Sequence, residues 1–108
     1  MTKRGPNAPN HLSEEARRLW RSVTGEFEME VHDLARLQVA CEALDRMREA
    51  QAVLRELGTT YIAANGSPRA RPECRIESDS RLAFLRALRE CGLDGAEIET
   101  AARPPGRR

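Results

Sequence analysis

Apolar side chains recur along the chain at more than one spacing, and each change of spacing marks an element. Between Ser13 and Thr24, Ala16, Leu19, Trp20 and Val23 fall at helical intervals on one stripe, with Phe27 four residues further on. Ser13 predicts the N-cap, Glu14 and Glu15 sit where the helix dipole favours acids, and Gly25 predicts the stop. Residues 26–31 read Glu-Phe-Glu-Met-Glu-Val. Strict alternation over so short a span predicts an extended connector that holds Phe27 and Met29 on the core. From His32 to Leu57 the seam is Leu34, Leu37, Cys41, Leu44, Met47, Leu54 and Leu57, flanked by Ala40 and Ala50 and closed by Gly58. A third helix is predicted from Pro72, a residue suited to the first turn, to Cys91, with Gly92 as its stop. Ile76, Ser80, Ala83, Phe84, Ala87 and Leu88 share its inner face, widened by Leu82 and Leu85. A last short helix is expected from Asp94, with Glu97 three residues on as in a capping box, ending before Pro104-Pro105.

Residues 59–72 break the helical period. Thr-Thr-Tyr-Ile precedes an Asn65-Gly66 turn, which predicts a small hairpin whose return strand is weakened by Pro68 and Pro72. The fold expected is all-α: three main helices, a long central one, a β-hairpin-like arm between helices two and three, and a short C-terminal helix. Residues 1–12, rich in Pro, Gly and Asn, read as a flexible basic arm. Residues 13–94 read as a helical oligomerisation core that includes the hairpin arm at 59–72, and 95–108 as a short helix and basic tail. The central helix would span about 39 Å at 1.5 Å per residue. Such a helix needs a partner along part of its length, from the same chain or from a neighbouring subunit.

The net charge of +1 carries little information, but its distribution does. Lys3 and Arg4 make the N-terminus basic, and Arg103, Arg107 and Arg108 make the tail basic, while the helical segments between them run slightly acidic. Arg69 and Arg71 lie in a stretch, Gly58 to Pro72, that holds no acid. Basic tails bind phosphate without sequence preference, and solvated ends look the same on charge alone. Arg17, Arg18 and Arg21 likewise have two readings, a solvated face with carboxylate partners or a phosphate contact. In a ring, weak contacts of this kind repeat and add. The candidate DNA-contacting set is therefore Lys3, Arg4, Arg17, Arg18, Arg21, Arg69, Arg71, Arg107 and Arg108.

Other chemistry is disfavoured. The three cysteines, Cys41, Cys74 and Cys91, form no CxxC pair, and an odd count argues against a disulfide framework and for a reduced, cytosolic protein. No apolar run is long enough to span a membrane, and the N-terminus lacks the apolar stretch of a signal peptide. His11 and His32 have no metal-ligand spacing with any cysteine, so no metal and no cofactor is expected. Cys41 and Cys91 fall on apolar seams, where a buried structural thiol is the default, and Asn65-Gly66 is a turn with no phosphate-binding motif after it. Acids alternate with helical arginines, as in Glu42 with Arg46, Asp45 with Arg48 and Glu77 with Arg81, the pattern of a solvated face. An enzyme is not expected, and the connector after Gly25 is too long for a helix-turn-helix.

Four segments together resemble the phage terminase small subunits. His11-Leu12-Ser13-Glu14-Glu15-Ala16 with Leu19-Trp20, and Pro9 two residues before His11, is similar to that family's opening pattern. Phe27 to Leu34, then Leu37 and Ala40 to Arg46, resembles its second helix, with Val31 where the family often has Pro. Asn65 to Glu73 resembles its hairpin arm, and Arg81 to Arg86 with Leu88 and Gly92-Leu93-Asp94 its closing helix. The resemblance implies a ring-forming, non-catalytic homo-oligomer in the host cytoplasm. It implies that double-stranded viral DNA and a large terminase subunit carrying the ATPase and nuclease are its partners. It transfers no catalytic residue. Two alternatives stand beside it: a protein–protein adaptor of the packaging machine without DNA contact, and a small stand-alone DNA-binding regulator.

Overall fold

The computed structural model describes residues 6–93 and is mainly helical, in the order α1 (Glu14–Glu26), α2 (Val31–Leu57), β1 (Thr60–Ile62), β2 (Pro68–Ala70) and α3 (Pro72–Glu90). The expected short helix from Asp94 and the basic tail lie outside the described residues, as do Lys3 and Arg4.

Helix α1 begins as its sequence predicts, with the Ser13 hydroxyl accepting from the Ala16 N–H at 3.1 Å. Its end differs. Gly25 lies inside the last turn, and the helix closes where Phe27 turns extended while its N–H still reaches Val23 O. The helix therefore absorbs the first residue of the alternating connector. Of the two side chains expected to pin that connector, Met29 packs on the core and Phe27 stays 41% exposed. Four residues leave too little chain for alternation to bring both inward. Glu30 then caps α2, its own N–H donating to Asp33 Oδ2 at 3.2 Å in a capping box.

Helix α2 runs 27 residues and packs most extensively on α3, with the start of α1 held at its middle. The core is Leu12, Ala16, Trp20, Val23, Leu37, Cys41, Leu44 and Met47, with Phe84 and Leu93 packed against it. Small residues, Ala40, Ala43, Ala50, Ser80 and Ala87, are buried beside it, which suits a close approach of two antiparallel helices. Two bonds fix the level of α3 along α2: Gln51 Nε2 donates to Glu77 Oε2 at 3.0 Å, and the Cys91 thiol lies 3.9 Å from Asp33 O. Leu57, Ile76, Leu82 and Leu85, read as seam positions, are exposed, because the small-residue contact is too narrow to reach them.

The segment read as a flexible arm differs over its described part. Residues 6–12 form a strap along α1 and α2. Pro6 O accepts from Trp20 Nε1 at 2.8 Å, Asn10 O accepts from the Arg17 guanidinium, Ala8 touches the core and Leu12 is inside it. A single buried leucine and an indole N–H that needs an acceptor outweigh the loop-forming Pro and Asn around them.

Candidate nucleic-acid interface

The hairpin sits beyond the packed end of the α2–α3 pair. Gly58 and Gly66 both adopt positive φ, at 85° and 87°, so the exit from α2 and the tip of the turn use the conformation that glycine alone enters without strain. Strands β1 and β2 pair Thr60 with Ala70, Tyr61 with Arg69 and Ile62 with Pro68. Pro68 is tolerated because it opens an edge strand. All six strand residues are exposed, so the hairpin projects as an arm.

Arg69 and Arg71, paired in the sequence reading, do different things. Arg71 Nε donates to Gly58 O at 3.0 Å, and its Nη2 donates to Leu57 O at 3.2 Å and Thr60 O at 3.1 Å. Those carbonyls include the free C-terminal acceptors of α2, which a cation at a helix C-terminus satisfies. Its guanidinium also lies 5.8 Å from the Tyr61 ring centroid. Arg71 thus closes the base of the arm. Arg69 makes one long contact, 3.4 Å to Ser67 Oγ, and otherwise faces solvent. The arm carries this charge with no acid between Gly58 and Pro72.

The α1 arginines are each engaged. Glu14 sits 2.9 Å from Arg21 and 4.0 Å from Arg18. Arg17 turns back to Asn10 O, leaving its Nε buried without a partner. Arg18 and Arg21 thus share one carboxylate, while Arg17 is held by a backbone carbonyl. Arg107 and Arg108 lie outside the described residues.

Three acids at the α1–α2 crossing pair between elements. His11 Nε2 meets Glu42 Oε2 at 2.7 Å, and Arg48 reaches Glu15 at 3.1 Å. Asp45 accepts from the Ser13 N–H and hydroxyl. The helical pairings Glu42–Arg46 and Asp45–Arg48 are therefore not the principal ones, while Glu77–Arg81 is present. Bonds from Gln38 and His11 hold the Glu42 carboxyl below the ordinary 4.5. Burial, with Asp45 and Glu42 adding, pushes the Cys41 thiol up to about 12. That thiol is therefore protonated, packed and chemically inert. Sequence reasoning missed these partners because they lie about thirty positions apart, with no periodic signal to join them.

Among the described residues no three His, Cys, Asp or Glu side chains are grouped to hold a metal ion, and no helix is long and apolar enough to cross a membrane. The arrangement offers instead an exposed arm of one charge sign on a helical frame. The family model for phage terminase small subunits matches residues 14–106. The chain belongs to that family. This phage terminase small subunit therefore has a role in packaging viral DNA, within the infected cell. No curated protein and no solved structure matches the chain. The family match runs from the first residue of α1, through the hairpin arm and α3, into the C-terminal tail.

Proposed function

We propose that this chain is a non-enzymatic adaptor that assembles as a ring, binds double-stranded viral DNA and brings it to the large terminase subunit. The observation that carries the DNA contact is the projecting, acid-free arm, on which Arg69 pairs with no carboxylate among the described residues. Within the candidate set, Arg69 is the primary contact. Lys3, Arg4, Arg107 and Arg108 add charge from the ends of the chain, and Arg71 sets the arm's angle. Arg17, Arg18 and Arg21 contribute least, since each already has an oxygen partner. One arm contributes little affinity, and repetition around a ring adds the contacts. The tail beyond residue 94 is the segment assigned to the large subunit.

Fluorescence anisotropy with duplex DNA across a salt series tests the reading. Binding that weakens steeply with salt is expected. Arg69→Ala weakens it further at unchanged melting temperature, whereas Arg71→Ala lowers the melting temperature as well. Absence of binding at any salt, with the ring intact, would overturn the DNA contact and favour an adaptor that touches proteins only.

A further inference from the structure

The two long helices carry unlike outer flanks. On α2, Cys41, Asp45 and Arg48 face α1, through Ala16, Ser13 and Glu15, while Asp33 and Gln51 face α3. At 100° per residue, the arc between the α1 and α3 contacts holds Glu42, Arg46, Glu49, Val53 and Glu56, with Val39 exposed at its edge nearest α3. On α3, Glu77, Ser80, Ala87 and Cys91 face inward. The opposite side holds Arg75, Leu82, Leu85 and Arg86, with Asp79 at its edge paired to Arg75 at 3.6 Å, so arginines still outnumber acids there. One flank is acidic on balance and the other basic. Both expose aliphatic side chains that the chain's own core does not use: Val39 is 53% exposed, Leu82 56% and Leu85 46%.

The two flanks also agree in height. With Gln51 level with Glu77 and Asp33 level with Cys91, Glu42 stands level with about Phe84 and Leu85, one turn or less from Arg86. By the same register Arg75 stands between the levels of Glu49 and Glu56, and Val39 lies within about a turn of Leu85. Copies placed side by side without sliding along their helices would therefore set Arg86 near Glu42, Arg75 near Glu49 and Glu56, and Val39 near Leu85.

We infer that the occupant of each flank is a second copy of this chain, with the α3 flank of one subunit seated on the α2 flank of the next. Unlike faces meeting head to tail generate a ring when the rotation closes. The inference rests on the ring reading above and names its mating surfaces. Like-charged flanks would repel, so the pairing α2 to α2 or α3 to α3 is opposed by charge, and a two-fold dimer through either flank is disfavoured.

The test is the mass of the full chain by light scattering and native mass spectrometry, with far-ultraviolet circular dichroism as the check on folding. Wild type is expected as a closed oligomer. Arg75→Glu with Arg86→Glu, or Glu49→Arg with Glu56→Arg, is expected to give a folded monomer, and all four changes together to regain the oligomer. Val39→Cys with Leu85→Cys leaves every charge in place and is expected to yield a ladder of disulfide-linked multimers on mild oxidation. A wild-type monomer would overturn the ring reading itself. A wild-type oligomer that both reversals leave intact, or that gives no ladder, would overturn these flanks while the ring stands.

Discussion

Asp45 of α2 holds Ser13, the residue that caps α1. Asp45 Oδ2 accepts the Ser13 N–H at 2.9 Å, and Oδ1 accepts its hydroxyl, whose oxygen in turn accepts from Ala16 N–H. The start of one helix is thereby tied to the middle of the next. Arg48 to Glu15 repeats the tie one turn along. Together with the Leu12 and Trp20 contacts of the strap, these bonds set where α1 crosses α2.

The tie predicts non-additive mutants. Asp45→Ala and Ser13→Ala should each lower stability by about 1–2 kcal/mol, the usual range for a lost cap or a charge-assisted hydrogen bond. The double variant should cost less than the sum of the singles, because both remove one shared interaction. Urea titrations of the four proteins check this, and strict additivity would show that Asp45 does not act through Ser13.

Glu42 predicts an acid limb of stability. Its carboxyl is held below its ordinary value chiefly by the Gln38 and His11 bonds, so its contribution is present above about pH 4.5 and is lost as pH falls through the folded value. Glu77, held down by Gln51 and Arg81, acts in the same direction. Glu42→Gln should therefore lose less stability than wild type between neutral pH and about pH 3. Denaturation midpoints across that range measure it, and parallel curves for the two proteins would remove Glu42 from the account.

The cysteines should differ in reactivity. Cys41 is buried, donates toward Ala16 O at 3.5 Å and has its thiol pushed up to about 12, so it holds almost no thiolate at mildly alkaline pH. Cys74, half-buried in the first turn of α3, should alkylate first. Peptide mapping after iodoacetamide treatment is expected to find Cys41 labelled only on unfolding. Early labelling of Cys41 in the native protein would mean that α1 lifts from α2.

Much of the fold was legible in the sequence. The Ser13 cap, the seam of α2, the Asn65-Gly66 turn and the Pro72 start each depend on neighbours within a few residues, and a chain carries that information locally. Local order also explains why the family resemblance was readable: its segments are caps, seams and turns in sequence. What tertiary structure alone decided was which of several plausible partners each side chain took. Arg69 and Arg71 are near neighbours of equal charge, yet only Arg71 lies over the open carbonyls at the end of α2. Gly25 looked like a stop, but the next acceptor bond was still within reach. Leu12 looked like part of a loose arm until α1 and α2 offered it a pocket. Leu82 and Leu85 looked like core and stayed outside, because small residues brought α2 and α3 together along a narrow line. Periodicity reports that a face is apolar, and only packing against a second element determines whether that face is covered within the chain or left for another.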